Sequence, residues 1–427
     1  MIKTVVKRDG TKEAFDPERL LKWAEWAGEL GADWSSVLRE AFRKCQDGCS
    51  TQELHKAMIT ACLDKKDPAH ERMAGRLYIG SIYKECYGDY ETIPNLAEMY
   101  SDMVELGYWR DMGYSQEELL EYDKFIDHDL DLAMTYSQLK QIVGKYSCQD
   151  RVKNKYYETP QFTYMRMALG LSYDKPEEER KRDVFKYYEK FSIKCNVNCP
   201  TPNLQNLGTW NLGLASCCLY VVEDTAESLA VGDHIAYMMT CNSAGIGNAL
   251  LTRSIGDAVR GGMIKHNGKL PYCKSGSTAV AANTQGGRGG SLTTHFCALD
   301  PEAKTLIKLR NPTTIASKRI GDIDYSFGSH PALDRRAAQG LSWMLISLKD
   351  APDLWKLYYS DKLEEFEECY QKYENNSLIK KEFVDARALV LMTLQEAFET
   401  GRFYDHDLYE MNRHTPFKET IHSSNLC

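Results

Sequence analysis

The sequence predicts an α/β protein in three parts: a small α+β module over residues 1–90, a mainly helical stretch over 91–195, and an α/β region over 196–427. Three observations carry this. The first ninety residues set a hairpin signal before capped helices. The next hundred are rich in aromatic and charged residues and lack strand alternation. Beyond about 195, short β-rich runs alternate with helical segments, the pattern of parallel strands joined by crossover helices.

Each element has a local cause. Val5-Val6-Lys7-Arg8 runs into the turn Asp9-Gly10, and a second short strand follows near Glu13-Ala14-Phe15. Asp16-Pro17 opens a helix with Asp as N-cap and Pro at the first helical position, and Leu20, Leu21, Ala24 and Ala27 give it an apolar stripe. Ser50-Thr51-Gln52-Glu53 reads as a capping box, and another helix begins after Asp67-Pro68. Glu177 to Arg182 is a charge cluster that reads as a solvated helix surface. Leu219 to Val222 and Gly245 to Leu250 read as strands around a helix from Ala226 to Cys241. Two long amphipathic helices are predicted near Asp353 to Tyr373 and Lys381 to Thr400, the second stopped by Gly401 ahead of a strand at Arg402-Phe403-Tyr404.

Composition narrows the class. A charged fraction of 27% and an apolar fraction of 43% are those of an ordinary globular protein. The net charge of −8 argues against a nonspecific nucleic-acid or membrane-surface binder. No run approaches the roughly 18 apolar residues of a membrane span, and no secretory core follows Met1, so a cytoplasmic protein is expected. The 14 cysteines then imply a reducing compartment, and without a Cys-x-x-Cys pair no metal site is expected.

Four motifs stand out. Lys7-Arg8-Asp9-Gly10, with Glu13, Arg19, Thr51, His55 and Lys84, could hold a triphosphate through cations and backbone donors, although Lys-Arg-Asp-Gly alone is a charged turn. Thr201, then Ser216-Cys217-Cys218 leading into an apolar run, places a hydroxyl and a thiol at a strand start, where α/β folds carry ligands. Asn283 to Gly290 has four glycines in eight residues, which permit close ligand approach, but it has neither Rossmann nor P-loop spacing. The fourth motif is Asn425-Leu426-Cys427, an inconspicuous thiol when taken alone.

Together, in this order and spacing, these motifs resemble the large subunit of oxygen-dependent ribonucleotide reductases, the enzymes that make deoxyribonucleotides for DNA synthesis. The resemblance implies an ATP-cone over 1–90 with nucleotide contacts at Lys7, Arg8, Glu13, Arg19, Thr51, His55 and Lys84. It implies the first half of a ten-stranded α/β barrel over 196–427, ending at the catalytic finger loop. Arg19 stands where a Lys is common, and Gly80 and Ser81 stand where bulkier residues occur, which favours nucleotide binding over a switch between ATP and dATP. Cys427 would be the thiyl radical, Cys217 a redox thiol that forms a disulfide, and Asn425 a ligand of the ribose. Thr201, Ser216, Ala244 and Gly245 would contact the substrate, a ribonucleoside diphosphate. Asp224, Thr225 and Arg253 would bind a specificity effector, with Gln285 and Arg288 reading the base.

The same resemblance implies ATP or deoxynucleotide effectors, a small subunit carrying a diiron-tyrosyl radical, thioredoxin or glutaredoxin as reductant, and a homo-oligomer of the assembled large subunit. It places a second redox Cys and a carboxylate base past residue 427. The expectation is a split, phage-encoded large subunit completed by a complementary C-terminal chain. A precursor for trans-splicing and a noncatalytic ATP-cone regulator are the alternatives.

Overall fold

The computed structural model describes residues 2–29, 31–88, 92–211, 213–285 and 288–425; of Thr284, Gln285 and Arg288 only the backbone is described. The chain forms two compact units, divided between Leu214 and Ala215.

The first unit opens with the predicted hairpin, β1 (Thr4–Val6) against β2 (Lys12–Ala14), with Val5 opposite Glu13. Its turn forms because the Asp9 carboxylate accepts from the Thr11 amide and Gly10 takes the left-handed conformation at φ 84°. Four helices follow: α1 (Pro17–Gly28), α2 (Trp34–Lys44), α3 (Thr51–Asp64) and α4 (Pro68–Tyr87). Asp16 and Asp67 cap α1 and α4, and Ser50 with Glu53 forms the capping box of α3. Caps of this kind each contribute about 1 kcal/mol and fix where the helices start.

Ala24, Val37, Met58, Leu77 and Tyr83 form one core that continues into Leu139 and Val143 of the helix Tyr136–Lys145. Gly75 permits this approach, since a Cβ there would lie 2.6 Å from the Met134 carbonyl. The middle stretch is helical, as its composition predicts, and Glu177 to Arg182 lies on the helix Glu177–Tyr188. The first unit runs beyond residue 195 because Arg166 holds the following segment. This buried guanidinium pairs with Glu158 at 2.9 Å and donates to the carbonyls of Leu204, Gln205 and Leu207.

The second unit is built on a five-stranded, wholly parallel sheet. In chain order its strands are Cys217–Glu223, Gly245–Leu251, Leu292–Cys297, Ile323–Ser329 and Phe403–Asp407, and they lie side by side in that order. The helix Ala226–Cys241 crosses between the first two, with the bounds predicted. Side chains alternate across the sheet. Val222, Ile246, Leu250, Phe296, Tyr325, Phe327 and Phe403 point to one face and join the main core. Cys217, Gly247, Thr293, His295, Ser326 and Tyr404 belong to the opposite face by register.

One expectation is corrected. The helix predicted near Asp353 to Tyr373 is two helices, Pro352–Tyr358 and Leu363–Glu374, and the helix predicted from Lys381 starts only at Ala386. Residues Glu382–Asp385 are a strand paired antiparallel to Ser342–Leu345, a long-range partner that overrides local helical periodicity. Gly401 ends the last long helix in the left-handed conformation, φ 62°.

Candidate functional site

Cys217 opens the first strand of the sheet, and the Ser216 carbonyl accepts from the Gly245 amide at 2.8 Å, so Ser216, Cys217 and Gly245 sit together at the same end of adjacent strands. Ala244 is buried beside them, its amide bonded to the Met239 carbonyl. The chain returns to this face near residue 425. Asn412 clamps it, accepting from the Ile421 amide at 2.8 Å and donating to the Ile421 carbonyl at 2.9 Å. His422 packs on Tyr359, with ring centroids 4.9 Å apart.

The segment then crosses Gly247 so closely that a Cβ there would meet the Ser424 carbonyl at 2.5 Å and the Asn425 Cα at 3.1 Å. Asn425 is thereby placed over the strand next to Cys217. Leu426 and Cys427 lie outside the described residues. Thr201 belongs to the first unit, at the start of the helix Thr201–Asn206, with its hydroxyl 3.5 Å from that of Tyr146. No disulfide joins the described cysteines.

Asp224, Thr225 and Arg253 also come together, at the ends of the first two strands. Arg253 Nε lies 3.0 and 2.9 Å from the two Asp224 oxygens, and the Arg253 amide donates to the same carboxylate at 3.0 Å. Thr225 caps the helix Ala226–Cys241 through the Ser228 amide. The two groups read from sequence as separate nucleotide contacts thus hold each other. Beyond Arg253, the chain through Arg260, Gly261 and Gly262, all at positive φ, is anchored by Glu302, which accepts from the amides of Ile255 and Lys269. The backbone of Gln285 pairs with that of Arg288; their side chains, and Gly286 and Gly287, lie outside the described residues.

Residues 215–427 match the family model described as ribonucleotide reductase, barrel domain, and residues 133–211 match that of the reductase all-alpha domain. The break between the matches falls where the two compact units divide. The chain is 33% identical over 436 residues to ribonucleoside-diphosphate reductase 1 subunit alpha of Escherichia coli K12, covering 99% of this chain and 57% of that protein. It is 32% identical to the Salmonella typhimurium counterpart and 28% identical to the alpha subunit of Enterobacteria phage T4, with the same coverage. The chain belongs to the ribonucleotide reductase large-subunit family. It spans a little over half the length of these relatives.

Part of the N-terminal constellation also comes together. Lys7 pairs with Glu13 at 2.6 Å across the hairpin, and Arg8 donates to the Ser81 carbonyl at 3.3 Å. His55, on α3, meets the Leu77 carbonyl at 2.9 Å. Burial pushes this imidazole down to about 4, with the charges of Arg8 and Lys84 acting in the same direction, so His55 is neutral between two cations. Thr51 is the first residue of α3, and Arg19 is exposed on α1.

Sequence reasoning missed Trp23. Its indole lies against Gly80, where a Cβ would come within 2.4 Å of the ring, and it sits 6.2 Å from His55. The small residue at 80 is therefore filled by an aromatic from α1. Sequence reasoning also missed three side chains on the inner face of the sheet, His295, Ser326 and His406, which are far apart in sequence and carry no local signal. No described helix is long and apolar enough to cross a membrane.

Proposed function

We propose that this chain supplies the substrate-binding and radical-bearing part of a ribonucleoside-diphosphate reductase. The observation that carries the reading is the crossing of Ser424 and Asn425 over Gly247, on the sheet face that begins with Cys217. A nucleoside diphosphate is held by Ser216, Asn425 and backbone near Ala244-Gly245. Cys427, two residues beyond Asn425, is the thiyl that takes the ribose 3′-hydrogen. The 2′-hydroxyl leaves as water after protonation. Cys217 and a second thiol give up two electrons and two protons and end as a disulfide, and the 3′-hydrogen returns from Cys427. One nucleoside diphosphate and two thiols thus become a deoxynucleotide, water and a disulfide. Thioredoxin or glutaredoxin regenerates the thiols, and a small subunit supplies the radical.

The second thiol and the carboxylate base are supplied from the part of the relatives' length outside these residues, on this chain or on a second one. Asp224, Thr225 and Arg253 bind a deoxynucleoside triphosphate that selects the substrate. The hairpin and α3, with Lys7, Arg8, Glu13, Thr51, His55 and Lys84, bind ATP.

The test is cytidine diphosphate reduction by protein isolated from its natural source, with small subunit and dithiol added and the intact mass of each component recorded. Activity lost in Cys217→Ser with nucleotide binding retained supports the reading. Native protein that binds ATP but turns over no nucleotide refutes it. The recorded masses distinguish a single chain from two associated chains or a ligated product.

A further inference from the structure

The inner face of the sheet holds one polar group that the reaction above does not use. His295 Nδ1 lies 2.5 Å from the Ser326 hydroxyl, and that hydroxyl lies 3.0 Å from His406 Nδ1. The two rings stand edge to face at 5.0 Å. His295 is 2% exposed and Ser326 fully buried. Burial, with His406 beside it, pushes His295 down to about 3, and burial pushes His406 down to about 4. Both imidazoles are therefore neutral at physiological pH.

A serine hydroxyl has one proton, so it donates to one ring and accepts from the other. The two histidines must then be opposite tautomers. Among the described residues neither Nε2 makes a hydrogen bond. The Ser424 backbone nonetheless favours the protonated His295 ring, the effect of a carbonyl facing an N–H edge. With Nδ1 taken by Ser326, Nε2 is the edge left to face Ser424, and a proton on Nε2 is the tautomer that matches a carbonyl there. The polarity then runs from His406 Nδ1–H to Ser326, from Ser326 to His295 Nδ1, and from His295 Nε2–H toward the Ser424 carbonyl. The same carbonyl presses on Gly247.

We infer that His295, oriented by Ser326 and His406, is a positioning residue: its Nε2 edge receives the Ser424 carbonyl and fixes the depth at which Asn425 lies over Gly247, beside the strand that opens with Cys217. The placement rests on the crossing of Gly247 by Ser424, on the strand register that puts His295 on the same face, and on its buried Nε2 edge; its consequence for catalysis rests on the reductase reading. A buried imidazole suits this task because its partner on Nδ1 locks both the ring's rotation and its tautomer, leaving one donor with a fixed direction.

The experiment compares His295→Leu, His295→Gln and Ser326→Ala in the full chain. Hydrogen exchange is followed over residues 420–425, and cytidine diphosphate reduction is followed in the assembled enzyme. In H295L, exchange at 421–425 rises about 10-fold or more while strands 292–297 and 323–329 keep their protection. Turnover falls about 100-fold, the cost of a shift near 1 Å at a reacting group, with KM within about twofold. H295Q recovers most of both losses because its amide donates from near the Nε2 position, and S326A is intermediate.

Unchanged exchange at 421–425 in both H295L and S326A overturns the inference. Should H295L lose protection throughout, S326A decides by the same criterion. Raised exchange with full turnover overturns the link to catalysis. Wild-type enzyme that reduces no nucleotide sinks the reductase reading, and the exchange result then decides the positioning role by itself.

Discussion

Gly247→Ala isolates the feature on which the proposed active site depends. The added Cβ would stand 2.5 Å from the Ser424 carbonyl oxygen, where ordinary contact begins at 3.4 Å, so one side must give by about 0.9 Å. Asn425 contributes two more tight contacts, at 3.1 and 3.3 Å. The strand cannot yield, because Gly247 is paired on one side with Leu219 and on the other with Thr293. The segment through Ser424 yields instead, since its hydrogen-bonded and packed anchors among the described residues are at Ile421 and His422, and the inferred His295 contact is a single one.

Were the segment rigid, overpacking would cost about 1–3 kcal/mol. If it moves, that cost largely disappears, and replacing a strand glycine by alanine contributes about 0.4–1 kcal/mol of stability through the unfolded chain. The outcome for G247A is thus a melting temperature that holds or rises slightly, while turnover falls about 100-fold because Asn425 has shifted by nearly 1 Å. Calorimetry and a cytidine diphosphate reduction assay on one preparation measure both. Full turnover at unchanged stability would show that the segment does not lie across Gly247 in the working enzyme.

Three further perturbations test other parts of the molecule. Asp131 is fully buried and accepts from Tyr83 and Gln161, and burial raises its pKa to about 7. The folded state therefore holds this proton more tightly than the unfolded chain does; the group costs nothing below the ordinary carboxylate range, and its cost grows from about pH 4 to 7 and then levels off. D131N should gain stability over wild type across that window, by at most roughly 4 kcal/mol at pH 8, and a gain equal at pH 4 and pH 8 in thermal unfolding would refute this. Gly80→Ala drives a Cβ against the Trp23 indole; the emission spectrum should shift and ATP affinity should fall several-fold, and unchanged affinity would separate Trp23 from the nucleotide site. Arg253→Gln should weaken deoxynucleoside triphosphate binding about 10-fold while costing no more than about 1 kcal/mol of stability, because the Asp224 pair is partly solvated; equilibrium binding and melting curves decide.

What could be read from the sequence divides by the range of the interactions. The caps at Asp16, Ser50 and Asp67, the turn at Asp9-Gly10 and the helix Ala226–Cys241 are set by groups within four residues of one another, and the structure has them where the residues put them. The strand Glu382–Asp385 depends on a partner forty residues upstream, and there the local pattern misled. The site divides in the same way. Asp224 and Arg253 were legible as charged residues near strand ends, but their mutual pairing was not, because it arises from two adjacent parallel strands ending at one level. The His295–Ser326–His406 chain joins positions 31 and 80 residues apart purely through strand register, so no window of sequence could reveal it.

The two faces of the sheet explain why these long-range polar contacts gather where they do. A parallel sheet covered on both sides ordinarily reads as runs of Val, Ile and Leu. Here the strand Leu292-Thr293-Thr294-His295-Phe296-Cys297 and its neighbour Ile323-Asp324-Tyr325-Ser326-Phe327 interrupt that pattern, although every residue named is buried. Phe296, Tyr325 and Phe327 join the helical core, while the alternate positions turn polar groups to the inner face. Polar groups in such a place must satisfy one another or carry a desolvation cost. The Ser326 bridge between two neutral imidazoles meets most of that demand, and the unpartnered Nε2 edges meet none of it. Aliphatic side chains at these positions would remove the demand altogether. Retaining a costly arrangement on this face is accounted for if the buried, unsatisfied imidazole edge has work to do on the segment that carries Asn425.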